Sequence, residues 1–199
     1  RDRDVIIDEC TKQILDAGKE AWNRDDYITA WLKWMPLAEN GNQLAQGLIG
    51  TMYRSGKGVP QNSTQAAKWF LKAAEQGMRR EQALLGWMYY KGEGVPQDYA
   101  KAINWFRKAA DQMDTTAQVN LSMMYGNGQG VPRSYILAYL WNDIASLWIN
   151  MTSSMKGHPT MRVAKLNRDM IKKRLTPKEL RQARAIADDC WFKPVECPQ

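Results

Sequence analysis

The chain has 199 residues, 44% of them hydrophobic and 25% charged, and carries a net charge of +7. That is enough apolar chain for a sizeable buried core, while no apolar run reaches the ~18–20 residues of a membrane-spanning helix. Three cysteines and one histidine form no ligand set, which argues against a zinc site or any other metal or cofactor.

From the start of the chain, Ile6, Ile7, Cys10, Ile14, Leu15, Gly18 and Trp22 recur at the spacing of an amphipathic helix over residues 5–22. The opening Arg1-Asp2-Arg3-Asp4 leads straight into that pattern. It reads either as a cytosolic terminus or as the start left after a signal peptide has been removed. After a turn at Asn23-Arg24-Asp25, Asp26 caps a helix that runs to about Asn40, with Pro36 as a point of kinking or early ending.

A loop then recurs at a fixed period of 36 residues: Gly56-Lys57-Gly58-Val59-Pro60-Gln61, Gly92-Glu93-Gly94-Val95-Pro96-Gln97 and Gly128-Gln129-Gly130-Val131-Pro132-Arg133. A period of this size marks a stacked repeat array. Each loop separates two helical patterns. Leu48, Leu85 and Leu121 sit before it; Trp69, Trp105 and Trp141 sit after it. Steps of 36 from Asp26 reach Asn62, Asp98 and Ser134, all good helix N-caps. The first Gly of each loop suits a helix stop at positive φ, and the second suits a close reversal. These glycines are not a phosphate cradle, since no strand precedes them and no Lys-Ser/Thr pair follows.

After Asn150 the pattern changes. A helix is expected from about Thr160 to Arg174, with Met161, Ala164, Ile171, Leu166 and Met170 inward. Thr176-Pro177-Lys178-Glu179 then carries the N-cap, first-turn Pro and N3 Glu of a strong helix start. Segment 156–184 holds ten Lys and Arg against two Asp and Glu, so the rest of the chain is nearly neutral. Cys190 and Cys197 are close enough to form a disulfide in an oxidising compartment. Otherwise all three thiols are free, with Cys10 and Cys190 packed on helix faces. His158 has no partner near it in the sequence, and no set of residues composes an active site.

The stretch Leu85-Gly86-Trp87-Met88-Tyr89-Tyr90-Lys91-Gly92-Glu93-Gly94-Val95-Pro96-Gln97-Asp98-Tyr99, with Lys101-Ala102, Trp105-Phe106 and Lys108-Ala109-Ala110, resembles the Sel-one-like repeat (SLR) family. That family is related to the tetratricopeptide repeats, and residues 42–77 match nearly as well. Departures are Glu81 where Ala45 and Ala117 stand, Ser122 where Gly50 and Gly86 stand, and Met113 and Ile149 at helix-stop positions. The fourth unit is therefore expected to pack differently or to have a longer second helix.

The resemblance implies an all-α fold: a right-handed α-solenoid of antiparallel helix pairs in one domain. Its parts would be an atypical first pair (1–41), repeats at 42–77, 78–113 and 114–149, and capping helices with a tail (150–199). It further implies a non-catalytic scaffold or adaptor for another protein, such as a secreted effector or envelope protein, and a periplasmic or secreted place, with a cytoplasmic one as alternative. By analogy, Gln43, Gln46, Arg54, Arg79, Gln82, Tyr90 and Gln118 would line the concave, partner-binding face. Two other functions are expected alternatives. One is immunity against a toxin such as a secreted phospholipase. The other is binding of anionic surfaces or nucleic acid through Arg162, Lys165, Arg168, Lys172, Lys173 and Arg174.

Overall fold

The structure is a computed structural model that describes residues 2–151 and 159–192, with side chains described over 9–146 and 162–186. It is all-α. In chain order the helices are α1 (Asp2–Asn23), α2 (Tyr27–Glu39), α3 (Gln43–Ser55), α4 (Ser63–Glu75), α5 (Arg79–Lys91), α6 (Tyr99–Asp111), α7 (Thr115–Asn127), α8 (Tyr135–Met151), α9 (Pro159–Lys172) and α10 (Pro177–Phe192). They pack as two compact units, residues 1–97 and 98–199. The division falls after the second Gly-x-Gly loop, inside a repeat. His158, Cys197 and the side chain of Cys190 lie outside the described residues, and with them the expected disulfide. Cys10 is exposed and free, not packed on a helix face.

Local chemistry sets the helix boundaries. Asp26, Asn62 and Asp98 each accept from the backbone N–H three residues on, at 3.1, 3.0 and 2.9 Å. Ser134 does the same to Leu137 at 3.3 Å. Each cap satisfies one of the four N–H groups a helix start leaves unpaired. The first glycines of the loops, Gly56, Gly92 and Gly128, end their helices at φ 72°, 73° and 71°. Gln61 and Gln97 then donate their side-chain amides to the carbonyls of Arg54 and Tyr90, both at 2.9 Å. The loop thus satisfies carbonyls that the helix end leaves open. Helix α2 runs through Pro36 to Glu39 without an early end.

Within the first unit, each helix from α1 to α5 packs on the next. Its core gathers Leu15, Ala30, Trp34, Ala38, Ala45, Ile49, Met52 and Trp69. A second cluster joins Ala66, Ala67, Phe70 and Met88. Small residues set these approaches: a Cβ on Gly50 would lie 2.7 Å from the Phe70 ring. Trp34, at the repeat position of Phe70 and Phe106, is buried with its Nε1 donating to the Leu15 carbonyl at 3.2 Å. Trp22 and Trp31 are half-buried.

In the second unit α6 packs on α7, α7 on α8, and both α9 and α10 on α8. Helix α8 has 17 residues against 13 in α6, the longer second helix expected of the fourth repeat. Here Asn142 stands where Phe70 and Phe106 stand in earlier repeats, and Ser122 where Gly50 stands. The Asn142 amide donates to the Ser122 hydroxyl. That hydroxyl donates in turn to the Ala138 carbonyl at 2.6 Å. A ring against a glycine has become a buried polar pair. Helix α10 opens with a reciprocal capping box, in which Thr176 N–H meets Glu179 at 2.8 Å and Glu179 N–H meets Thr176 Oγ1 at 3.3 Å. On α9, Ala164 is buried and Ile171 is half-buried, as expected. Leu166 and Met170 point outward instead, 57% and 58% exposed. Ala164 lies with Val119 and Ala145 in the core, and this seating turns Leu166 and Met170 to the other side of the helix.

Candidate interaction face on helices α3 and α5

Residues Gln43, Gly47, Thr51 and Arg54 fall on one side of α3, and Arg79, Ala83, Trp87 and Tyr90 occupy the matching side of α5. Most of the side chains expected to meet a partner lie here. Gln43 and Arg79 are exposed; Arg54 and Tyr90 are half-buried. The Arg54 guanidinium rests 5.9 Å from the centre of the Phe70 ring, so one side of it is held by the scaffold. Tyr90 stacks on Trp87 at a 5.6 Å ring separation. The Lys91 ammonium lies 4.9 Å from the Trp87 ring and 5.5 Å from the Tyr90 ring. Trp87, at 36% exposure, belongs to this face and was not in the expected set. Its signal was present in the sequence: Trp87 stands where the neighbouring repeats carry Thr51 and Met123.

The three glutamines are a correction. Gln46, Gln82 and Gln118 are buried, at 4%, 4% and 0% exposure. Each sends its side-chain amide to a carbonyl at the end of the preceding helix: Ala38 at 3.2 Å, Ala74 at 3.0 Å and Ala110 at 3.4 Å. Those carbonyls belong to the last helical turn, beyond the regular four-residue ladder, and each also accepts the backbone N–H three residues on, from Gly41, Gly77 and Met113, at 3.1, 3.1 and 2.9 Å. The glutamines therefore join one helix pair to the next, 36 residues apart each time. In the first unit Gln76 extends the join, donating to Gln46 Oε1 at 2.8 Å and to the Gly41 carbonyl at 2.9 Å.

Beside the face lies a cleft of about 370 Å³, lined by Leu15 and Lys19 of α1, Leu44, Gly47 and Leu48 of α3, and Met78 to Glu81 at the start of α5. Two departures from the repeat meet there. Met78 gives no side-chain cap to α5, where Asn42 and Asp114 cap α3 and α7. Three residues on, Glu81 is 2% exposed. Burial pushes its carboxyl above the ordinary value, against smaller lowering effects from its own backbone N–H and from Arg80. Glu81 Oε2 is buried with no hydrogen-bond partner. The carboxylate has room only because position 47 is glycine, where a Cβ would stand 2.7 Å from Glu81 Oε1. Among the described residues no group of His, Cys, Asp and Glu could hold a metal ion, and no helix is long and apolar enough to cross a membrane.

The comparisons with known proteins agree with this architecture. Sel1 repeats match at residues 43–78, 82–113 and 115–141. A similar solved structure is c5321, described as a protective antigen present in uropathogenic Escherichia coli strains and displaying an SLR fold. Its TM-score is 0.68 at 34% identity, over 69% of this chain and 30% of that one. This chain thus spans less than a third of the antigen's length. A Sel1 repeat protein from Oxalobacter formigenes aligns at TM-score 0.63 and 28% identity, over 92% of this chain and 78% of that one. No curated protein matches. Proteins built from Sel1 repeats are generally protein-interaction scaffolds and typically non-catalytic. With its 36-residue helix pairs, its glycine loops and these likenesses, the chain belongs to the Sel1-like repeat family.

Proposed function

We propose that the protein is a non-catalytic adaptor that holds another protein against the α3–α5 face. The observation that supports this reading is the Trp87–Tyr90–Lys91 stack at the end of α5, the helix that Arg79 opens. Tryptophan, tyrosine and arginine are the side chains that most often dominate binding energy at interfaces. The rest of the repeat chemistry, in caps, loops and glutamines, is consumed in holding helices together. Immobilised wild-type protein should retain a protein from native extract. The double variant Arg54→Glu, Arg79→Glu should retain at least about tenfold less, with unchanged helical circular dichroism. Equal retention by a folded double variant would remove this face from the interaction.

A second reading concerns α9. Arg162, Lys165 and Lys172 on this helix and Lys173 just after it are exposed, and the apolar Val163, Leu166 and Met170 are exposed among them. A basic helix with an outward apolar stripe suits an anionic lipid surface. Arg168 is less available, because it pairs with Asp143 at 3.4 Å. Arg174 donates to the Tyr135 hydroxyl at 2.9 Å. Sedimentation with phosphatidylglycerol vesicles should carry the protein down at about 0.05 M salt and much less at about 0.3 M. No sedimentation at the lower salt, or binding to duplex DNA with none to vesicles, would end this reading.

A further inference from the structure

In the second unit a small cleft of about 210 Å³ lies between α7 and α9. Its lining includes Gly126 and Asn127 of α7, Tyr135 of α8, Asn167 and Met170 of α9, and Arg174 just after α9. The volume is below the ~300 Å³ of the smallest ordinary ligand pockets, so the cleft takes one end group of a larger molecule. Two guanidinium groups converge on Tyr135. Arg174 donates to its hydroxyl at 2.9 Å, and the Arg174 guanidinium lies 5.3 Å from the ring centre. The Arg133 guanidinium lies 5.7 Å from the same ring centre. Among the described residues neither arginine pairs with a carboxylate. A guanidinium has five N–H donors, and one bond to a neutral hydroxyl leaves the Arg174 charge unneutralised. Two like charges on one ring, beside the half-buried amide of Asn167, select an anion that accepts hydrogen bonds.

The rest of α9 indicates what carries that anion. Val163, Leu166 and Met170 recur at three and four residues, so they form one line along the helix. All three are exposed, and Met170 belongs both to this line and to the cleft wall. Arg162, Lys165 and Lys172 follow the opposite border of the line from Asn167. An apolar line with cations on both borders has the form of a helix lying in a lipid interface, its line among the acyl chains and its cations at headgroup level. An acidic peptide would engage the cations and leave the line in water. We propose that the cleft between α7 and α9 holds the phosphate of one anionic phospholipid, bound by Arg174 with Arg133 beside it, while the acyl chains lie against Met170, Leu166 and Val163. The proposal rests on the reading of α9 as a lipid-facing helix and adds to it a site for a single headgroup.

The test titrates the full chain with dihexanoylphosphatidylglycerol below its micellar concentration, followed by amide chemical shifts. The lipid should shift residues 126–127 and 167–174, and bind about tenfold more tightly than inorganic phosphate. Arg174→Ala, with unchanged helical circular dichroism, should weaken the lipid about tenfold. Lys172→Ala, on the far border of the line, should weaken it about twofold. Met170→Ser should narrow the preference for lipid over phosphate to about threefold. No shift at the cleft, phosphate binding as tightly as the lipid, equal losses from Arg174→Ala and Lys172→Ala, or a hexaglutamate peptide binding more tightly than the lipid would overturn the site. Vesicle sedimentation separates this site from the reading it rests on. Sedimentation with no cleft shift by the soluble lipid would leave α9 on the lipid surface and remove the headgroup site. Cleft shifts without sedimentation would end the surface reading and leave a site for single lipid molecules.

Discussion

Gly94→Ala is expected to lower stability by about 2–5 kcal/mol. Two costs add there. Gly94 sits at φ +69°, where an L side chain meets its own backbone at about 1–2 kcal/mol. The added Cβ would also lie 2.2 Å from the Ser63 carbonyl oxygen and 2.7 Å from the Thr64 nitrogen, both backbone atoms that cannot turn away. Overpacking of a fixed contact adds about 1–3 kcal/mol. Gly77→Ala separates the two costs, since Gly77 has φ +91° but no heavy atom within 4 Å of the place its Cβ would take. It should lose only about 1–2 kcal/mol. Denaturant melts of both variants decide the matter. Equal losses would mean that the loop does not press on the start of α4 as the structure has it.

The second large effect has the opposite sign. Glu81→Ala should raise stability by about 1–3 kcal/mol at pH 7, because it removes a buried acceptor without a donor. The carboxylate does gain something from its place near the positive end of α5, but that is worth only about 0.3–1 kcal/mol. The pH dependence follows from the direction of the shift. Burial raises the folded-state pKa of Glu81 above its ordinary value of 4.5, so the folded chain binds this proton more readily than the unfolded chain. The penalty is absent below the unfolded value and complete above the folded one. The stability gap between variant and wild type should therefore widen as pH rises from about 4 to 7. Lys19, Arg79 and Arg80 are the basic residues that line the cleft with it. Other carboxylates move both proteins alike and cancel in the difference. A gap that is constant with pH would show that Glu81 is ionised at ordinary cost, hence solvated.

The contrast between caps and glutamines shows what the sequence could carry. Asp26, Asn62, Asp98 and Ser134 act on N–H groups three residues away, so spacing alone fixes their role. The loop glycines are equally local, since their positive φ is a property of their own residue. Gln46, Gln82 and Gln118 obey the same period but act on a different helix. A long polar side chain beside a helix start reads equally as surface or as a donor to a neighbouring helix end. Helix tilt decides between them, and periodicity does not contain it. Leu166 and Met170 were misplaced for a related reason: α9 is apolar on more than one side, and only its seat on α7 and α8 selects Ala164. Glu81 was visible as a departure from the repeat. Its burial was not, because that depends on Gly47 of another helix. Trp87 broke the register as openly as Glu81 did.

The exchange of Phe70 against Gly50 for Asn142 against Ser122 also bears on how an array of near-copies finds its order. Helices of similar sequence can dock on the wrong mate during folding, a common failure of repeat chains. If α7 closed on a phenylalanine-bearing helix, the ring would meet the Ser122 side chain where Gly50 leaves space. If α8 closed on a glycine-bearing helix, the Asn142 amide would lose the hydroxyl it donates to and keep only the Ala138 carbonyl of its own helix, at 3.4 Å. The polar pair thus works as a key cut for one lock, matching α8 to α7.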